Sequence, residues 1–145
     1  MSDQTISISI DFPQPVDALF AYIARHENQA TLFGVKVERL RDGDGHPDGV
    51  GSRRRLHAPG LPAFEETVTA FEPGRRIEYK MDPKGTPVSD HLGVIVFRPS
   101  GTGTHMDYTV RLVTKIGLLG PLARAMTKWQ MRRGLENLAA AGTLP

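Results

Sequence analysis

The sequence predicts an α+β chain: a curved antiparallel sheet of seven strands wrapped around one long C-terminal helix, with short helices after the first strand. Three observations carry the prediction. Segments of strict apolar/polar alternation recur along the chain, the mark of half-buried strands. From Val35 onward six of them follow one another through links that allow only antiparallel pairing. The last stretch changes to the helical period, and a single sheet with one apolar face needs such a helix as its cover.

The elements follow in order. "TISISIDF", residues 5–12, places Ile6, Ile8 and Ile10 on one face and serines on the other. In "PQPVDALFAYIARHENQATLF", Val16, Leu19, Phe20 and Ile23 recur at helical spacing, and Pro15 suits a first turn. A break or second short helix is expected near Asn28, before Phe33. "VKVERL" is a strand and "RDGDGHPDG" a turn. "VGSRRRLH" is the next strand, "APGLPA" a loop and "FEETVTAF" another strand. "EPGR" turns tightly into "RIEYKM", where Ile77, Tyr79 and Met81 share a face. After the turn-forming loop "DPKGTPVSD" come the strand "HLGVIVFRP", the hairpin turn "SGTG" and the strand "THMDYTVRL". Met106, Tyr108, Val110 and Leu112 alternate on one face of that last strand. One helix is expected from about Gly117 to Ala141. Its apolar residues form two stripes, Leu119, Leu122, Met126 and Trp129 upstream and Met131, Leu135 and Leu138 downstream, rotated from each other. Gly134, which costs about 1 kcal/mol relative to alanine in a helix, points to a bend or a close contact there.

Composition narrows the function classes. A chain of 145 residues, 39% apolar and 23% charged, is expected to be one ordered domain spanning 1–145. A net charge of +2 is far from that of a strongly basic nucleic-acid binder, so no specific nucleic-acid partner is expected. The absence of cysteine excludes disulfides and thiolate metal sites. The five histidines lack close metal-ligand spacing, so no metal and no cofactor are expected. "MSDQTISISIDF" lacks the features of a signal peptide, and no apolar run approaches the ~20 residues of a membrane helix; the expected location is the cytoplasm. No G-x-S-x-G motif or P-loop occurs. Charge is uneven, however. No acid lies between Asp107 and Glu136, while Arg111, Lys115, Arg124, Lys128, Arg132 and Arg133 do. That is either a solvated helix face or a contact for an anionic lipid or polymer.

The arginine triplet of "GVGSRRRLHAPGLPAFEE" admits two orientations. Simple alternation turns Leu56 inward together with Arg54. Counting "APGLPA" as the whole hairpin loop instead sets His57 opposite Phe64 and Arg55 opposite Glu66, a favourable cross-strand pair.

Several stretches together resemble the helix-grip (SRPBCC) superfamily of START and Bet v allergen-like proteins, and within it the polyketide cyclase/dehydrase-like branch. They are "FPQPVDALFAYIA", "DGVGSRRR", "VTAFEPGRRIEYKM", "HLGVIVFRP" and "RRGLENLAA". The resemblance spans nearly the whole chain and implies an apolar cavity between the sheet and the C-terminal helix. It implies no single activity, because the fold hosts binders, transporters and enzymes. "PGLPA" is similar to the gate loop of the plant hormone receptor branch. "KGTPVS" stands where that branch has its second loop motif, so an entrance loop is implied and hormone binding is not.

The resemblance also matches Arg55, His57, His91 and Gly93 to cavity-facing positions and Tyr79 to an inward aromatic. With the loop count, it sets the expectation that Arg55, His57 and Glu66 point inward and Arg54 outward. The expected ligand-binding set is Arg55, His57, Glu66, Tyr79, Met81, His91 and Tyr108, with Met131 and Leu135 as an apolar wall. Arg55 would meet an anionic or carbonyl group with Glu66 as its counter-ion. Asp90 and His91 are neighbours in a strand and face opposite ways, so they make no dyad. Three functions remain open. The first is binding of a small hydrophobic or amphipathic molecule. The second is a cofactor-independent polyketide-type cyclase/dehydrase with Glu66 or His91 as acid/base. The third is a lipid- or anionic-polymer-associated scaffold using the basic helix. "HLGVIVF" is apolar on both faces, and the outer set Leu92, Val94 and Val96 suggests a homodimer interface.

Overall fold

The alternation of "TISISIDF" is the burial pattern of the first strand: Ile6 and Ile8 are buried, and Ser7 and Ser9 between and beyond them are exposed. The computed structural model describes residues 2–60, 62–114 and 120–145. Its elements are β1 (Ser2–Phe12), α1 (Val16–Ala24), α2 (Asn28–Phe33), β2 (Lys36–Arg41), β3 (Arg53–His57), β4 (Phe64–Glu72), β5 (Arg76–Met81), β6 (Val88–Ser100), β7 (Gly103–Thr114) and α3 (Gly120–Ala141). The strands form one antiparallel seven-stranded sheet in the order β1-β7-β6-β5-β4-β3-β2. This is the architecture expected from the sequence. The expected helix start at Gly117, together with Lys115 and Leu119, lies outside the described residues.

The core sits on the inward face of the sheet. Leu19, Phe20, Ile23 and Ala24 of α1 are buried, and Phe20 meets the rings of Phe71 and Phe97 edge-on, with centroids 5.2 and 5.1 Å away. Leu19, Phe20 and Ile23 each contribute roughly 1.5–3 kcal/mol by leaving water. α2 ends at Gly34, whose positive φ of 66° suits glycine and whose N–H closes on Ala30 O. Leu135 and Leu138 anchor the second half of α3, which packs along β1 and α2. A Cβ on Gly134 would lie 1.9 Å from the Leu32 carbonyl oxygen, so its glycine is required by the close approach of α2 and α3.

A polar network ties the 42–52 turn to the helices. Arg39 is hydrogen-bonded to both carboxylate oxygens of Glu27 and to Asp48 Oδ1. The Arg39 hydrogen bonds hold the Glu27 carboxyl down at about 2. Beneath them His26 is fully buried, 3.0 Å from Ser52 Oγ. Ser52 donates its proton to Gly49 O, so His26 Nε2–H must be the donor to Ser52. Its Nδ1 then remains an acceptor with no partner among the described residues. Burial, then the charges of Arg54 and Arg39, depress its pKa to about 4.

Candidate functional site

The β3–β4 hairpin decides which arginine enters the interior. Its last pair is Leu56↔Phe64, so residues 57–63 form the connection, and Arg54, not Arg55, lies opposite Glu66. That is one residue away from the expected register, and a one-residue slip exchanges the two faces of a strand. Arg54 and Glu66 are buried, at 5% and 6% exposure. Arg55 instead projects outward between Glu38 and Glu65, and His57 is exposed at the end of β3 beside Lys36. The expected inward facing of Arg55 and His57 is therefore corrected, while that of Glu66 agrees with the structure. Arg54 was legible in one signal, the alternation that placed it with Leu56.

Around the Arg54–Glu66 pair the sheet assembles a buried polar cluster. Nε and Nη2 of Arg54 both donate to Glu66 Oε1, at 3.0 and 2.8 Å. The Arg54 guanidinium carbon lies 5.2 Å from the centre of the Tyr79 ring, within cation–π range. Tyr79 and Tyr108 are hydrogen-bonded to each other through their hydroxyls. The His91 ring lies 5.4 Å from that of Tyr79, and its Nδ1 accepts the Met81 N–H at 3.1 Å. A neutral His91 consequently carries its proton on Nε2. Register makes the cluster: Glu66 pairs with both Arg54 and Met81, and Tyr79 faces Gly93. A Cβ on Gly93 would lie 2.3 Å from Tyr79 Cζ, so the missing side chain is the space the ring occupies.

Burial dominates the protonation of this cluster. It pushes the Tyr79 hydroxyl well above its ordinary range and raises that of Tyr108. It lowers the His91 imidazole against the opposing pull of the Glu66 and Asp90 carboxylates. Burial is the largest influence on Arg54 and opposes its charge, but the Glu66 charge and hydrogen bonds together with the Tyr79 and Tyr108 hydroxyls outweigh it, and the guanidinium stays charged. At neutral pH the cluster therefore holds one ion pair, two neutral phenols and one neutral imidazole. Arg54 Nη1, Glu66 Oε2 and His91 Nε2 have no hydrogen-bond partner among the described residues. Asp90 is exposed, and its Oδ1 accepts the backbone N–H of His91 without reaching the ring.

Met81 is half-buried at the end of β5, Met131 is half-buried against the margin of the core, and Leu135 is inside it. Two of the surface hollows formed by described residues bear on where the site lies. One of about 560 Å³ lies at the β4–β5 turn and the end of β6, against Glu72, Arg75 and Phe97. The other, of about 380 Å³, lies between Gly34–Lys36 and His57–Gly60, beside the expected entrance loop. Neither is lined by the Arg54 cluster. Among the described residues the inward face at that point is occupied by the cluster's own side chains, Arg54 on Tyr79 and Tyr79 on Gly93.

A family model described as polyketide cyclase / dehydrase and lipid transport matches residues 3–142. Among curated proteins none matches. Several solved structures share the fold at low identity. Protein MLL2253 from Mesorhizobium loti is 18% identical with a TM-score of 0.70, over 97% of this chain and all (100%) of that one. Ara h 8.0201 is 11% identical with a TM-score of 0.67, over 97% and 99% of the two chains. A protein described as the Aha1 dimer from Colwellia psychrerythraea is 15% identical with a TM-score of 0.67, over 95% of each.

Proposed function

The chain belongs to the family described as polyketide cyclase / dehydrase and lipid transport, and from that membership we propose that it binds a small amphipathic molecule against the Arg54, Glu66, Tyr79, His91 and Tyr108 cluster. The observation that carries the reading is the buried Arg54–Glu66 pair itself. Apolar side chains of similar volume would stabilise a core as well or better, and groups with burial-shifted pKa values gather at functional sites.

The charge of the cluster selects the ligand. Arg54 is already neutralised by Glu66, so a carboxylate would bring an uncompensated charge into a buried site. A neutral carbonyl or hydroxyl matches the unspent Arg54 Nη1, Glu66 Oε2 and His91 Nε2. The ligand class is an apolar body with a neutral oxygenated end. It has to part side chains now in contact, Tyr79 foremost.

The test is retention. The purified chain is incubated with a hydrophobic metabolite extract, separated from free solutes, and its bound molecules identified by mass spectrometry. Wild type should retain a neutral oxygenated molecule that Arg54→Met does not. No retention by wild type would refute the reading. A second reading, cyclisation or dehydration, is favoured by one observation: the Met81 N–H fixes the His91 tautomer with its proton on Nε2. Recovery of a cyclised or dehydrated product would select it.

Assembly is part of the proposal. Leu92, Val94 and Val96 are half-buried on the outer face of β6, with Arg76 and Glu78 on one flank and Asp107 and Arg111 on the other. Charges of both signs on each flank suit a two-fold pairing of this face.

A further inference from the structure

Every side chain described between Pro121 and Gln130 is exposed. Three of them are large and apolar: Leu122, Met126 and Trp129, at 65%, 64% and 63% exposure. At about 100° per residue they fall within about 60° of one another and form a single strip. The strip lies on roughly the opposite side of α3 from Leu135 and Leu138, which hold the helix to the core. The sheet does not cover this strip. The half-helix that carries the strip is also positively charged. Arg124 and Lys128 are exposed on the face away from it, Arg132 lies at its flank, and the Arg133 guanidinium carbon sits 5.2 Å from the centre of the Trp129 ring. The sequence has no acid from Tyr108 to Leu135.

We propose that the first half of α3 docks on an anionic lipid bilayer. Leu122, Met126 and Trp129 enter the boundary between headgroups and acyl chains, and Arg124, Lys128, Arg132 and Arg133 engage the anionic headgroups. An apolar strip with a basic polar face and a tryptophan is the pattern of a helix that lies in a membrane interface. The same features disfavour the other occupants. Two copies joined through this strip would bring together two basic half-helices whose only neighbouring acid, Glu136, is already paired with Arg132. A nucleic acid would satisfy the arginines and leave Leu122, Met126 and Trp129 in water. This inference does not depend on what the interior binds.

Trp129 is the sole tryptophan of the chain, so its fluorescence reports on the strip alone. The full chain is titrated with vesicles of equimolar phosphatidylglycerol and phosphatidylcholine, and separately with phosphatidylcholine alone. With the anionic vesicles, Trp129 emission should shift to the blue and the protein should co-sediment, and about 0.5 M salt, where the screening length is only a few Å, should release it. Lys128→Ala should weaken partitioning about fivefold. Leu122→Ser/Met126→Ser should abolish the blue shift with an unchanged melting temperature, because both side chains are already exposed. Equal binding to neutral vesicles would overturn the proposal, as would full binding by the double serine variant. A blue shift that grows with protein concentration in the absence of lipid would assign the strip to a second copy instead. An equal shift with RNA would assign it to a polyanion, and either result overturns the membrane assignment.

Discussion

Tyr79 and Gly93 face each other across β5 and β6, and the tyrosine ring fills the space that a Cβ on Gly93 would take. The contact fixes the ring under Arg54 and its hydroxyl against Tyr108. Gly93→Ala should therefore destabilise the fold by about 1–3 kcal/mol through overpacking. Urea denaturation reads this as a lower midpoint at unchanged slope. Adding Tyr79→Leu to Gly93→Ala should restore part of the loss, and an undiminished loss in the double variant would contradict the assigned contact.

The Arg54–Glu66 pair should behave as a buried ion pair. Glu66→Ala leaves the guanidinium buried without its partner and should cost about 3–5 kcal/mol. Arg54→Met/Glu66→Leu removes both charges and should be more stable than Glu66→Ala alone. Equal stabilities of the single and double variants would mean that the pair is solvated.

His26 predicts the acid limb of stability. Its folded-state pKa of about 4 lies below the ordinary 6.5, so the unfolded chain binds the extra proton first as pH falls. Stability is full above 6.5 and is lost between about 6.5 and about 4, by about 3 kcal/mol. His91, lowered in the same direction, adds to this slope. His26→Gln should flatten the dependence of unfolding free energy on pH across that window; a slope identical to wild type would remove His26 from the account.

The outer face of β6 gives a fourth expectation. Val94→Lys should yield a smaller species in analytical ultracentrifugation with an unchanged circular dichroism spectrum. Wild type sedimenting as a monomer at high micromolar concentration would exclude pairing through Leu92, Val94 and Val96.

Periodicity made most of the fold legible, since each strand that alternates in the sequence alternates in burial. Tyr79 and Tyr108 could be placed on one face with apolar neighbours such as Ile77 and Met106, whereas the His91 strand is apolar on both faces and only the family resemblance turned His91 inward. The arginine strand has only Leu56 as an internal marker, and its register depended on the length of a loop that is one residue longer than "APGLPA". Arg55 and Arg54 exchanged places for that reason. The His26–Ser52 contact joins residues 26 positions apart in a helix-to-helix turn and a loop, where no period constrains the side chain. The upstream stripe of α3 was visible as a rotation, but its exposure depends on where the helix meets β1 and α2, a tertiary fact.

The most direct test of the central claim is where a bound ligand perturbs the chain. Side-chain nuclear magnetic resonance of His91 Nε2 and of the Tyr79 and Tyr108 rings is recorded with and without the molecule retained from the metabolite extract. The account predicts that these three side chains shift together on binding and that Arg54→Met abolishes the shifts. Shifts confined to His57 and Ala58, in the hollow beside the β3–β4 loop, with His91, Tyr79 and Tyr108 unmoved, would contradict it.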